Sequence, residues 1–269
     1  MTDENGTKVG AGNSFSDTPY LMEVEPERAN RLEVIAHRGF NSSGTQNTMQ
    51  AFTSAVGSGA LSFECDIQIS SDGVPVIFHD LTVDYLTDGT GAVSSLSLAQ
   101  LQVLKFNSTV GTIVEGAKIP KFMDLLIYCK QSGLNLYVEI KSYRTQSDIQ
   151  LMINDIYTAE MQHQVFILAF SLPDLEYTRS IDSVLNLGLL GSATDRATYE
   201  SLIDSVADLG RGFIYWSYGA LISKPEIVTY AKDKGLDVAS WTVNSNDTAK
   251  ELMDLGVYKI ITDIQIRVL

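Results

Sequence analysis

From Leu32 onward, short apolar, β-branched runs alternate with longer segments in which apolar residues recur at helical spacing. The runs have the length of buried parallel strands, and the longer segments have the period of amphipathic helices. Eight strands are predicted, and they begin at Leu32, Ser62, Leu136, Val165, Leu185, Gly212, Asp237 and Tyr258. Repeated strand–helix units of this kind predict an α/β protein with a parallel sheet.

Helical period is clearest in six segments between these strands, namely NTMQAFTSAV, KFMDLLIYCK, DIQLMINDIYTAEM, TYESLIDSVADL, KPEIVTYAKDK and DTAKELMDL. Several of them are followed by glycine, which commonly ends a helix. Eight strands with intervening helices predict a closed (β/α)8 TIM barrel, whose typical size is about 250 residues. An open, doubly wound sheet is the alternative, but it usually has fewer strands and does not close.

One interval between strands is longer than the others, because 74 positions separate Ser62 from Leu136. Within it, IQIS, the turn residues SDG and then VPVIFHD predict a hairpin that runs past the barrel mouth and returns. The returning strand would bring His79 and Asp80 back to the mouth. Residues 81–119 then form a small insert after the second strand, and we expect this insert to provide a flap that faces the substrate.

The first 31 residues are rich in Gly, Ser, Asn, Asp and Glu and keep neither the helix period nor the strand period. We interpret residues 1–31 as a polar leader or linker, through which a larger assembly could hold the chain, and residues 32–269 as one domain. The start lacks the pattern of a secretory signal, and no apolar run could span a bilayer. A cytoplasmic location and transport in a virion or surface assembly both remain open.

The chain has 269 residues, of which 33 are acidic and 19 are basic, so that the net charge is −14. Such a field repels polyanions, and nucleic acid and anionic membranes are therefore not expected as partners. A substrate that carries phosphate would need local cations to hold it. Cys65 and Cys129 lie in apolar runs and are predicted to be buried, reduced thiols.

Two of the three histidines lie where strands are predicted to end. His37 closes the first strand within HRG, and His79 closes the returning strand within HD. The carboxyl ends of the strands form the active face of a β/α barrel, so both imidazoles are candidates for general acid–base catalysis there. His163 lies in the polar stretch AEMQHQ before a strand and is predicted to be a surface residue.

Three carboxylates are predicted to point into the barrel at the same face. Strand alternation directs Glu64 and Asp66 inward, and on the next strand it directs Glu139 and Lys141 inward. Buried carboxylates need a cation, and three oxygen donors suit one divalent cation, Ca²⁺ or Mg²⁺, better than Zn²⁺. The alternative is a structural network in which Arg38 and Lys141 neutralise the acids.

These groups together could cleave a phosphodiester. One imidazole would accept a proton from the nucleophile, and the other would donate a proton to the leaving alkoxide. The metal, Arg38 and Lys141 would stabilise charge on the phosphoryl oxygens. Among the aromatic residues near strand ends, Tyr215 and Trp216 are predicted to lie in the core, and Trp241 is predicted to lie in the site.

The motifs resemble those of the glycerophosphodiester phosphodiesterases, a family of PLC-like TIM barrels. They occur in order between Leu32 and Asp263 as HRG, the NT of QNT, ECD, SDGVPVIFHD, VEIK, AFS, WTVN and ITD. The resemblance implies hydrolysis of glycerophosphodiesters to glycerol phosphate and an alcohol with a divalent metal. The roles that it implies are metal ligation by Glu64, Asp66 and Glu139, acid–base catalysis by His37 and His79, phosphate contacts from Arg38 and Lys141, and an aromatic wall beside the glycerol from Trp241. The family usually has an acidic residue where this chain has Gln46.

Three functions remain open at this point. The first is hydrolysis of small glycerophosphodiesters, and the second is depolymerisation of poly(glycerol phosphate), such as teichoic acid, by a module of a phage tail or surface assembly. The third is a non-catalytic binding module, which the complete set of competent side chains disfavours. A membrane-docking lipid hydrolase is disfavoured as well, because no exposed apolar segment is evident. Attack by the neighbouring hydroxyl of the substrate, through a cyclic phosphate, and attack by metal-activated water both remain open.

Overall fold

A computed structural model describes residues 31–40, 45–107 and 116–267. The compact unit that contains the barrel begins at Leu32. The polar leader proposed for residues 1–31 lies outside the described residues except for Arg31, so the leader and its role in an assembly remain predictions.

Eight parallel strands close into a barrel, which confirms the predicted fold class. The ninth strand, β3, is the returning arm of the hairpin and pairs antiparallel with the end of β2. The strands are β1 (Glu33–His37), β2 (Ser62–Ile69), β3 (Pro75–Ile77), β4 (Asn135–Ile140), β5 (Val165–Ala169), β6 (Asn186–Gly191), β7 (Gly212–Ser217), β8 (Asp237–Trp241) and β9 (Lys259–Thr262). Closure follows from β1, which pairs with both β2 and β9.

Nine α-helices lie within the described ranges, and none of them is both long and apolar enough to cross a membrane. They are α1 (Met49–Gly57), α2 (Leu98–Val103), α3 (Phe122–Ser132), α4 (Ile149–Thr158), α5 (Leu172–Ile181), α6 (Arg196–Asp208), α7 (Tyr218–Ser223), α8 (Glu226–Asp233) and α9 (Asn246–Asp254). Three of these helices, α2, α5 and α7, lie outside the six segments with the clearest helical period. In α5 a proline lies in the first turn and charged residues interrupt the apolar period, while the side chain of Ser171 accepts a hydrogen bond from the first turn and caps the helix.

Two apolar layers surround the strands. The outer layer packs between the strands and the helices and contains Cys65 and Cys129, which are buried and free as predicted. The inner layer fills the barrel with aromatic rings, among which those of Tyr137 and Phe166 stack with centroids 4.5 Å apart. These rings form an apolar floor, so polar groups above it, at the carboxyl ends of the strands, are partly shielded from water.

The insert has a small apolar core of its own. Gly73, with φ of +84°, makes the hairpin turn between β2 and β3. Within the described part of the insert, a 3₁₀ turn at Val93–Ser95 and helix α2 pack on the hairpin. This core consists of Val76, Phe78, Val83, Leu86, Val93, Leu101, Phe106, Ala117 and Ile119. The insert is therefore a folded unit beside the barrel mouth, and its role as a flap remains a prediction.

Candidate active site

The carboxyl ends of the barrel strands surround a cavity of about 140 Å³ that opens to solvent. Seven of the eight predicted site residues line it, namely His37, Arg38, Glu64, His79, Glu139, Lys141 and Trp241. The eighth residue, Asp66, is fully buried and contacts Arg38 and Lys141. Apolar walls come from Leu168, Leu190 and Ile261. The barrel therefore assembles all eight side chains at one face.

Three carboxylates crowd one side of this cavity. Glu64, Asp66 and Glu139 each offer an oxygen atom, and these three atoms lie within 4.8 Å of one another. Burial and the neighbouring charge of Asp66 raise the pKa of Glu64 well above its ordinary value and raise the pKa of Glu139 to about 7. Asp66 Oδ1 is buried and accepts no hydrogen bond within the described residues. Buried oxygens with excess negative charge fit a hard divalent cation such as Ca²⁺ or Mg²⁺.

Asp66 stays charged because cations and an amide surround it. Burial raises the pKa of Asp66, but the charges of Arg38, His79 and Lys141 outweigh burial and hold that pKa below its ordinary value. Arg38 Nε is 3.0 Å from Asp66 Oδ2, and Asn47 Nδ2 donates to the same oxygen at 2.8 Å. The cluster therefore combines one stably ionised carboxylate with two carboxylates whose ionisation burial opposes.

Gln46, where the resemblance led us to expect an acidic residue, is a hydrogen-bond partner of Arg38. Its Oε1 accepts a hydrogen bond from Arg38 Nη1 at 2.6 Å. Arg38 itself has a φ of +54°, and its backbone N–H donates to the backbone oxygen of Glu64 at 3.1 Å. The guanidinium is thus fixed between Gln46 and Asp66, with the neutral amide as one acceptor.

Asp263 holds the imidazole of His37. His37 Nδ1 and Asp263 Oδ1 are 2.5 Å apart, while His37 Nε2 is 3.8 Å from Glu64 Oε2. Asn244 fixes Asp263 with two hydrogen bonds. Its Nδ2 donates to Asp263 Oδ2 at 2.6 Å, and its Oδ1 accepts from the Asp263 backbone N–H. Burial raises the pKa of Asp263, but the hydrogen bonds from His37 and Asn244 outweigh burial and lower it. A charged Asp263 keeps the proton of His37 on Nδ1 and leaves Nε2 as an acceptor.

A similar arrangement holds His79 at the end of the returning strand. His79 Nδ1 lies 2.7 Å from Asp80 Oδ1. The buried amide of Gln68 donates to the backbone oxygens of Asp80 at 2.6 Å and Phe78 at 2.9 Å, and the His79 oxygen lies 3.3 Å away. Burial, opposed by the charge of Asp66, lowers the pKa of His79. Gln68 therefore anchors the backbone that presents His79 to the cavity.

Aromatic residues occupy the positions that the sequence predicts. The Trp241 ring lines the cavity, its Nε1 donates to the Tyr215 backbone oxygen at 3.0 Å, and Phe170 meets it edge-on with centroids 5.5 Å apart. Tyr215 and Trp216 are fully buried in the core, and His163 is exposed. The predictions for these core and surface residues are confirmed.

Four residues that position the site were not singled out from the sequence. Asn47, Asn244 and Asp263 lie in the motifs QNT, WTVN and ITD, but the motifs alone assign no contact. Gln68 continues the inward alternation of Glu64 and Asp66 along β2, and this pattern could have identified it.

The protein is similar to known enzymes along nearly its whole barrel. The chain is a phosphoric diester hydrolase built on a β/α barrel, and a model of the glycerophosphoryl diester phosphodiesterase family matches residues 37–265. The chain therefore belongs to the glycerophosphoryl diester phosphodiesterase family, and the predicted resemblance and enzyme class are confirmed.

Relatives match along nearly the whole barrel. Glycerophosphodiester phosphodiesterase 1 of Homo sapiens is 27% identical over 263 residues, which cover 87% of this chain and 78% of that protein. The glycerophosphodiester phosphodiesterase of Caldanaerobacter subterraneus is 28% identical over 232 residues, which cover 86% of this chain and 93% of that protein. The structure of an Oleispira antarctica phosphodiesterase in complex with the product sn-glycerol-3-phosphate is 25% identical, covers 86% of this chain and 92% of that chain, and has a TM-score of 0.77.

Proposed function

We propose that this enzyme hydrolyses glycerophosphodiesters to glycerol phosphate and an alcohol, with His37 and His79 as the acid–base pair and one divalent cation as cofactor. The observation that carries this proposal is the cavity itself. Two histidines line it, each with Nδ1 against a carboxylate, and both lie beside a buried cluster of three carboxylates. Family membership favours this catalytic role over a non-catalytic binding module.

The cation would be held by Glu64, Asp66 and Glu139. In support, Asp66 Oδ1 is buried and has no hydrogen-bond donor in the part of the chain that the structure describes, and all three proposed ligands are carboxylate oxygens, which suit Ca²⁺ or Mg²⁺. When bound, the cation supplies positive charge for the phosphoryl oxygens. Lys141 Nζ donates to Glu139 Oε1 at 2.7 Å and also lines the cavity, and Arg38 lines it from the other side. The side chains of Lys141 and Arg38 are proposed to bind the phosphate. Trp241 is proposed to pack beside the glycerol.

The imidazoles would move the protons. One Nε2 atom accepts the proton of the attacking hydroxyl or water, and the other imidazole donates a proton to the leaving alkoxide. Asp263 and Asp80 orient the rings and stabilise the imidazolium form. Removing either ring therefore removes a proton-transfer step and leaves the barrel core in place.

Single replacements, His37→Ala and His79→Ala, test these roles. Each is expected to keep the fold and to lower kcat on glycerophosphocholine about 100-fold or more. On a diester with a p-nitrophenyl leaving group, which departs without a proton, the variant that lacks the general acid regains much of its activity, and the other variant does not. His163→Ala, at the surface, is the matched control. Wild-type turnover by His79→Ala would refute the assignment.

Poly(glycerol phosphate) remains an alternative substrate. Its support from the sequence is the segment 1–31, which would attach the barrel to a tail or surface assembly. Parallel assays of the polymer and glycerophosphocholine, each with Ca²⁺, Mg²⁺ or chelator, distinguish the two substrates. Faster cleavage of the polymer would make the protein a depolymerase.

A further inference from the structure

A groove continues from the catalytic cavity on the side of His79. It shares His79, Glu139, Lys141 and Phe170 with the cavity, so the two spaces are continuous. Because a diester extends in two directions from its phosphorus, one half of the substrate can occupy the cavity while the other half enters this groove. The first residue of the insert, Leu81, forms part of its wall.

Beyond the shared residues, the groove is lined by two aliphatic residues, two carboxylates and the neutral Ser171. Leu81 and Ile140 provide aliphatic surface, and Asp80 and Asp174 provide carboxylates. Among the described lining residues, Lys141 is the only lysine or arginine. Lys141 is paired with Glu139, at 2.7 Å, and is proposed above to bind the scissile phosphate, so a second negative group would have to compete for it. A negative alcohol group in the groove would therefore meet carboxylates without a free cation to balance it.

Phe170 and Asp174 flank the start of α5 in the sequence. Phe170 precedes the capping residue Ser171, and Asp174 lies in the first turn of the helix. Asp174 is only 7% exposed, and its Oδ1 accepts a hydrogen bond from the Tyr143 hydroxyl at 2.7 Å. The Phe170 ring is 54% exposed, although large apolar side chains are usually buried, and Lys141 Nζ lies over it at 6.0 Å from the centroid, so the ring already attracts one ammonium group. An exposed aromatic ring and a carboxylate that line the same groove offer the chemistry that binds ammonium groups, by cation–π attraction and charge.

We propose that this groove, within the function proposed above, receives the alcohol half of the diester and that Asp174 and Phe170 favour a cationic alcohol, of the choline type, over an anionic one. The net charge of −14 acts in the same direction, because it attracts cations and repels polyanions. A polymer of glycerol phosphate would place its next phosphate in the groove, against Asp80 and Asp174. The groove therefore disfavours the polymer as substrate.

Three diesters with the same glycerol phosphate half test this selectivity. Their alcohols are choline, glycerol and glycerol phosphate, with charges that run from positive to negative. For the wild-type enzyme, kcat/KM is expected to be highest with choline and lowest with glycerol phosphate. In Asp174→Asn, the ratio of kcat/KM for the choline diester to that for the glycerol phosphate diester is expected to fall about 3- to 10-fold, mainly through KM, since a carboxylate in the groove wall acts through partly screened charge. Phe170→Leu is expected to lower kcat/KM for the choline diester more than for the other two diesters.

Glu176→Gln is the matched control, because it removes the same charge from an exposed position of the same helix outside the groove. Asparagine at position 174 keeps a hydrogen-bond acceptor for the Tyr143 hydroxyl. A purely structural effect of the substitution would lower kcat/KM equally for all three diesters. Equal kcat/KM for the three diesters, or equal changes of the ratio in the Asp174 and Glu176 variants, would overturn the proposed selectivity. Failure to cleave any diester with Ca²⁺ or Mg²⁺ would instead overturn the proposed function.

Discussion

Replacing Asp263 by asparagine should trap His37 in the wrong tautomer. Asn244 Nδ2 donates to Asp263 Oδ2 at 2.6 Å, so an asparagine at this position must turn its own amide oxygen toward Asn244. Its NH₂ group then faces His37 Nδ1, which becomes a hydrogen-bond acceptor. The ring proton moves to Nε2, so Nε2 can neither accept a proton as a base nor belong to the imidazolium from which a general acid donates.

The expected loss is large because a whole catalytic step depends on that nitrogen. General acid–base catalysis by a positioned imidazole contributes about 100- to 10,000-fold, and the same substitution beside a catalytic histidine in serine proteases lowers kcat by about 10,000-fold. Asp263→Ala removes the orienting carboxylate but imposes neither tautomer. We therefore expect kcat to decrease in the order wild type, Asp263→Ala, Asp263→Asn, with a smaller change in KM.

Steady-state kinetics on glycerophosphocholine measure this order, and circular dichroism with thermal unfolding checks that each variant folds. The two variants differ in whether an amide faces His37, so the comparison separates a tautomer effect from a loss of packing. If Asp263→Asn has the wild-type kcat, or retains more activity than Asp263→Ala, the orienting role of Asp263 is refuted.

Three further predictions concern the cation, the packing and the pH dependence. Ca²⁺ or Mg²⁺ at 100 times its Kd should stabilise the wild type by about 2.7 kcal/mol in thermal unfolding, and Glu139→Gln should lose most of that shift; an equal shift in the variant would exclude Glu139 as a ligand. Gly188→Ala should destabilise the barrel by about 1–3 kcal/mol, because its Cβ would lie 2.4 Å from the ring of an interior phenylalanine, whereas Gly57→Ala, at a helix end with open space, should change stability by less than about 1 kcal/mol; chemical denaturation compares them, and equal effects would contradict the packing argument. The hydrogen bond from Arg144 lowers the pKa of Asp148, so their pairing contributes stability that is present above the ordinary Asp pKa and is lost as pH falls through the lowered one; Arg144→Met should cost about 1 kcal/mol at pH 7 and less in acid, and a pH-independent loss would refute the linkage.

Local geometry explains what the sequence could predict. Side chains alternate along a strand, so Glu64 and Asp66 had to share a face once β2 was identified, and eight strands of suitable length implied closure. Long-range contacts are different. Asp263 is 226 positions from His37 in the chain, and the two meet only because closure places β9 beside β1. Helix and strand periods relate only positions a few residues apart, so they could not predict a contact over this separation. The contact of Gln46 with Arg38 was equally hidden, because it depends on how the connection between β1 and α1 returns to its own start.

The separate core of the insert bears on how such enzymes diversify. The histidine and aspartate that end the hairpin are fixed to the barrel by Gln68, and the apolar contacts of the insert are made mainly within itself and with the hairpin. Substitutions or length changes in the insert can therefore accumulate with little strain on the catalytic backbone. The insert is therefore suited to exchange between homologous barrels. Such an exchange would change substrate preference and leave the catalytic residues in place.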